Sequence, residues 1–135
     1  MARVYLDSCM IIGLIEGDTK QRLLLKTHLL QHWICSSELA RLETKLLAIR
    51  QNDLLGLQQF EKFFVACEMV ALDRAVFEQA TLLRAQYALK TPDALHLAAA
   101  IHADCQEFWT ADQQLVKVAT RFLTVVDWMT LDKLS

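Results

Sequence analysis

The chain has 135 residues, enough for one domain and too few for two of ordinary size. With 54% hydrophobic and 22% charged residues it is not a disordered chain, and 3 Gly with 1 Pro argue against an all-β sandwich rich in tight turns. The formal net charge of -2, from 14 basic and 16 acidic side chains, withholds the basic excess common in nucleic-acid binders. Any nucleic-acid surface must then be a local patch, and the acids leave room for a bound cation. Cys9, Cys35, Cys67 and Cys105 are too far apart for a zinc knuckle or a C-x-x-C pair, so buried free thiols are expected. The first residues show no leader features, and no apolar run approaches the roughly 20 residues of a membrane span. A cytoplasmic protein without membrane contact is the expectation.

Residues 2–6 read as a short strand with Asp7 at its C-terminal end. A short apolar helix follows from Met10 to Ile15 and stops at Gly17-Asp18. Residues 19–31 are helical, with Leu23, Leu24 and Leu30 on a wide apolar face. His32 to Cys35 form a second strand, and Ser36-Ser37 cap a helix from Glu38 to Arg50. Gln51-Asn52-Asp53 breaks the pattern before a helix over 54–66. Residues 68–72 are a third strand, and Asp73 caps a helix reaching Leu89. Thr91-Pro92 marks the next start, with Thr91 as N-cap and Pro92 as first helical residue, and that helix runs to Ala103. Residues 107–110 are a fourth strand, Asp112 to Thr120 a helix, and 122–126 a last strand. Strands alternating with helices give an α/β sandwich around a mainly parallel sheet.

Four carboxylates stand out. On the 38–50 helix, Leu39, Leu42, Leu46 and Leu47 fall on one face at about 100° per residue, and Glu43 lies inside that stripe. A carboxylate on an apolar face is costly unless paired or metal-bound; alternatively it snorkels at the edge toward Arg41 or Lys45. Asp7 ends the first strand, where open α/β sheets bind ligands, though it also suits a solvated turn or a helix cap. Asp93 opens a helix so small and apolar (Ala94 to Ile101) that its N-terminus must be packed inward; an acid there also suits the helix dipole. Asp112 follows the fourth strand and is equally a helix cap. Together, three acids at strand ends or helix starts and one facing inward can meet on one rim of a doubly wound sheet. Such a group repels itself unless a hard cation sits in it, and oxygen-only ligation selects Mg²⁺ or Mn²⁺ over zinc. The chemistry that follows is hydrolysis of a phosphodiester.

The segments Val4-Tyr5-Leu6-Asp7-Ser8, Ser36 to Glu43, Thr91 to Ala100 and Trp109-Thr110-Ala111-Asp112 resemble PIN domains, and among them the VapC toxins of bacterial toxin–antitoxin pairs. The resemblance spans nearly the whole chain, and Asp93-Ala94-Leu95-His96-Leu97-Ala98-Ala99-Ala100 is its most specific piece. It implies one PIN domain over 1–135: a three-layer sandwich with a five-stranded sheet between helices. It implies that Asp7, Glu43, Asp93 and Asp112 form the acidic Mg²⁺ or Mn²⁺ site of an endoribonuclease, with Ser8 and Thr110 as polar helpers. It further implies an RNA substrate, a homodimer, and an antitoxin protein that blocks the site. Cys9 stands where a small or hydroxyl residue is common. Arg41, Lys45, Arg50 and Lys90 lie near the motifs as phosphate contacts or as solvated helix faces.

Other residues read more plainly. His96 sits in an apolar helix and is expected to be packed core; His28, His32 and His102 lack ligand spacing; Trp33, Trp109 and Trp128 suit core or interface. A haloacid-dehalogenase-type phosphatase needs an Asp two positions after Asp7, where Cys9 stands. A receiver domain needs an acidic pair near the N-terminus that is missing here. A non-catalytic PIN-like nucleic-acid-binding module is the remaining alternative, and a DNA-cutting PIN nuclease is the rival within the class.

Overall fold

The computed structural model describes residues 1–134. The chain runs β1 (Arg3–Leu6), α1 (Ser8–Glu16), α2 (Thr19–Leu29), β2 (Trp33–Ser37), α3 (Glu38–Arg50), α4 (Leu54–Ala66) and β3 (Glu68–Val70). It continues with α5 (Arg74–Gln86), α6 (Thr91–His102), β4 (Glu107–Trp109), α7 (Gln113–Ala119), β5 (Thr124–Val126) and α8 (Trp128–Leu134). The five strands form one sheet in the order β3-β2-β1-β4-β5, and every pairing is parallel. β1 is central, with Tyr5 opposite Cys35 on one side and Phe108 on the other. The chain leaves β1 toward β2 on one flank and reaches β4 on the other. The boundary between β1 and β4 is therefore the topological switch point, where doubly wound sheets open a crevice at their strand C-termini.

Strand alternation divides the core in two. Val4, Leu6 and Trp109 face α1, α2, α3, α4 and α8 with Met10, Leu25, Phe60 and Leu131. Tyr5 and Phe108 face α5, α6 and α7 with Leu83, Leu97, Ala98 and Leu115. Residues 94–100 of α6 are all buried, so this Ala-rich helix lies against the sheet; its N-terminus does not pack inward as the sequence suggests, because Thr91 and Pro92 are exposed and Asp93 is half-buried.

Several local expectations change. The N-cap of α6 is Lys90, with no side-chain capping bond; Thr91 is the first helical residue and Asp93 the third. The inward row of α3 is Ala40, Thr44 and Ala48, whereas Leu42, Leu46 and Ile49 are exposed. Small residues let this helix pack closely with α4 and α1, so volume rather than hydropathy selected its inner face. β3 and β5 are shorter than the apolar runs that contain them, and α5 ends at Gln86. The last helix, α8, is absent from the sequence reading. It starts where Asp127 accepts from the Thr130 amide at 2.9 Å, a capping pattern legible in Asp127-Trp128-Met129-Thr130. Asn52 and Asp104 take the left-handed turns after α3 and α6, φ 53 and 55, in a chain with few glycines.

Candidate active site

Asp7 follows β1 and caps α1: its carboxylate accepts from the Met10 amide at 3.1 Å. Its own backbone N–H donates to the Trp109 carbonyl at 3.3 Å, which ties the end of β1 to the end of β4. Asp7 is only 5% exposed. Burial holds its carboxyl above the ordinary aspartate range, although hydrogen bonds from Cys9 and Thr110 oppose that shift. Asp112 follows β4 and caps α7, accepting from the amides of Gln114 at 2.9 Å and Leu115 at 3.2 Å. The Thr110 hydroxyl beside it is fully buried and accepts from the Asp112 amide at 3.2 Å. Asp7 and Asp112 are thus helix caps as well as site candidates, and each cap aims an acid at the switch point.

Asp93 caps nothing. Its carboxyl lies above the ordinary range, first through burial, then through the charges of Asp112, Asp7 and Glu43, against which His96 acts in the opposite sense. Asp93 is thus influenced by the charges of the other three acids that the sequence singled out. Glu43 does not snorkel toward Arg41 or Lys45. Its Oε1 lies 2.6 Å from His96 Nε2, while Arg41 and Lys45 both pair with Glu61 of α4. Two of the basic residues expected to contact phosphate are therefore engaged elsewhere. Lys90 stays exposed at the start of α6, and Arg50 lies at the far end of α3, about 10 Å along the helix from Glu43. Ser8 is half-buried as the first residue of α1.

The donor set fits a hard divalent cation, being all carboxylate oxygen at a partly desolvated rim. Among the described residues no three His, Cys, Asp or Glu side chains close into a ready-made cage.

Two residues at this rim escaped the sequence reading. Cys9 donates to Asp7 Oδ1 at 2.8 Å and accepts from the Ala111 amide at 3.4 Å, bridging the loops after β1 and β4. Its place two residues after a helix-capping Asp was the available signal. His96 is buried as expected, yet it is hydrogen-bonded on both ring nitrogens, to Tyr5 and to Glu43. One turn after Asp93 on an otherwise apolar row, it was the polar exception that needed partners.

The family model described as "PIN domain" matches residues 4–121. In a comparison with curated proteins, none matches the sequence. Among solved structures, the fold resembles a DNA-bound VapBC from Salmonella typhimurium, with TM-score 0.75, 17% identity, and coverage of 95% of this chain and 99% of that one. VapBC-1 from nontypeable Haemophilus influenzae has TM-score 0.75 at 14% identity, covering 94% of this chain and 98% of that one. A toxin–antitoxin complex from Klebsiella pneumoniae has TM-score 0.71 at 21% identity, covering 91% and 95%. At these identities the likeness concerns the fold, while the match to the family model spans both motif-bearing strand ends, β1 and β4, and everything between them. The chain belongs to the PIN-domain family.

Proposed function

We propose that this protein is a Mg²⁺- or Mn²⁺-dependent endoribonuclease, a single PIN domain acting in the cytoplasm as the toxin of a type II toxin–antitoxin pair. The observation that carries the reading is the position of Asp93, whose carboxyl is influenced by Asp7, Glu43 and Asp112 at the switch point of the sheet. In this reading Asp7, Glu43, Asp93 and Asp112 hold the ion, and Ser8 and Thr110 assist. The ion supplies an activated water and stabilises charge on the phosphate. The chain's own residues place the acids: the α1 and α7 caps fix Asp7 and Asp112, and the buried α6 delivers Asp93.

A non-catalytic binding module is the alternative, and retention of all four acids favours the enzyme. The test is cleavage of single-stranded or looped RNA that requires Mg²⁺ or Mn²⁺ and stops with EDTA. Asp7→Asn or Asp93→Asn should cut the rate by orders of magnitude with the fold intact. Full activity in either variant overturns the assignment.

An antitoxin partner is supported by the surface and by the similar structures, which include a toxin–antitoxin complex. Leu14, Leu29, Leu30, Ile34, Phe63 and Ala66 line an apolar groove of about 360 Å³ between α2 and α4. Arg22, Lys26 and Lys62 lie alongside it. Such a groove suits an amphipathic helix with acidic flanks. The exposed row Leu42, Leu46 and Ile49 on α3 is a separate apolar face, consistent with a homodimer contact away from the groove.

A further inference from the structure

One hydrogen-bonded chain crosses the core and ends at the candidate site. The Ser37 hydroxyl caps α3, accepting from the Ala40 amide at 3.5 Å, and lies 2.8 Å from the Tyr5 hydroxyl. The Tyr5 hydroxyl lies 2.7 Å from His96 Nδ1, and His96 Nε2 lies 2.6 Å from Glu43 Oε1. Ser37, Tyr5 and His96 are all buried. The chain begins at the N-cap of α3 and returns to α3 at Glu43, having passed through β1 and α6.

The proton count gives this chain a direction. A carboxylate oxygen 2.6 Å from a ring nitrogen needs a proton between them, and the imidazole supplies it at Nε2. If Nε2 carries the proton, Nδ1 is open to accept from Tyr5, and the Tyr5 oxygen is open to accept from Ser37. Every polar atom in the chain is then satisfied, in agreement with the absence of any unpartnered buried side-chain polar atom among the described residues. The opposite tautomer would set an imidazole lone pair against the carboxylate.

We infer that His96 is a positioning residue for Glu43: as the Nε2–H tautomer, set by Tyr5 and Ser37, it holds Oε1 and leaves Oε2 as the oxygen that would take a divalent ion. The inference rests on the nuclease reading given above. A carboxylate on the second turn of a surface helix otherwise has free rotamers. Here one oxygen is anchored to two other elements, so its partner oxygen is presented at a fixed place. Outer partners of this kind commonly alter metal affinity or activity by about 10–100-fold when removed.

Two polar isosteres separate positioning from packing. In His96→Gln the amide nitrogen takes the place of Nε2 and still donates to Glu43. In His96→Asn the amide can reach only toward Tyr5, and the bond to Glu43 is lost. Mn²⁺ affinity is measured without RNA by the signal of free Mn²⁺ in electron paramagnetic resonance, and RNA cleavage is followed in parallel. The expectation is near-wild-type Mn²⁺ affinity for His96→Gln and a loss of about tenfold or more for His96→Asn. In the metal-free wild type, ¹H–¹⁵N correlation of the imidazole should show the proton on Nε2, a readout that needs no variant to fold. Equal losses in the two variants, no loss in either, or any proton on Nδ1 would overturn the inference. A wild type that neither binds Mn²⁺ nor cleaves RNA would overturn the nuclease reading itself, and this inference with it.

Discussion

Asp93 is the residue at which the cost of the site can be measured cleanly. Asp7 and Asp112 each cap a helix, so replacing them changes a capping bond together with a charge. Asp93 makes no capping bond and lies under the influence of three other carboxylates. A carboxyl raised above its ordinary value favours the fold at low pH, below the unfolded-state value near 3.8. That contribution is lost as pH rises through the folded-state value. The metal-free protein is therefore penalised at neutral pH. Asp93→Asn should raise the metal-free Tm at pH 7 by roughly 3 °C, and the difference should shrink on acidification as Asp93 in the wild type takes up its proton. Glu61, Glu68 and Asp127 have lowered values, so their stabilisation is lost only below the ordinary carboxylate range, outside this window. Mn²⁺ should stabilise the wild type by binding the folded state, and Asp93→Asn less. Thermal melts with EDTA and with Mn²⁺ at two pH values check both statements; an identical metal response in the two proteins would remove Asp93 from the site.

At the level of elements, α3 and α6 show two ways in which a helix buries a face. From Ala94 to Ala100 every residue of α6 is buried, and its sequence says so, because Ala and Leu fill nearly every one of these positions. The sequence of α3 points the other way. Its leucines suggest a face that the fold leaves largely in solvent, because Ala40, Thr44 and Ala48 permit a closer approach. Periodicity alone ranks hydrophobicity and is blind to the space available, so the five strands and the helices up to α7 were legible while the rotation of α3 was not. The partner of Glu43 was missed for the same reason: with the helix turned, its carboxylate reaches His96 on α6, a contact between residues 53 apart in sequence. The rotation is testable. Ala48→Leu should cost about 1–3 kcal/mol through overpacking. Leu42→Ser, at a position 58% exposed, should stay within about 0.5 kcal/mol of wild type. Chemical denaturation of the two variants decides, since the leucine stripe facing inward would reverse their order.

Across the whole molecule, the acidic rim and the apolar groove occupy different surfaces, so catalysis and partner binding should separate by mutation. Leu30 borders the groove and is 87% exposed, so it contributes little to the fold of the free chain. Leu30→Glu should leave Tm and RNA cleavage near wild type, and weaken the complex with the protein encoded by the neighbouring reading frame about tenfold or more. Co-expression followed by a binding titration checks this; undiminished affinity would move the partner to another face. The C-terminal segment offers a second separation. The match to the family model ends at residue 121, whereas β5 and α8 lie beyond it and complete the sheet edge and the layer over α1.

The contact between α8 and α1 turns on Gly13. A methyl group there would lie 2.8 Å from Trp128 Cζ2 and 3.0 Å from Cη2, so the indole rests directly on the backbone of the helix that Asp7 caps. Trp109 is sealed in the core and Trp33 is half in water. This leaves Trp128 as an optical gauge of how α1 is seated. Its emission should be blue-shifted and poorly quenched by acrylamide in the native protein. In Gly13→Ala the displaced ring should emit at longer wavelength and quench more readily, over an unchanged background from Trp109 and Trp33. The same indole would then signal any movement of the helix bearing Asp7 when Mn²⁺ or a partner protein is added, without a label.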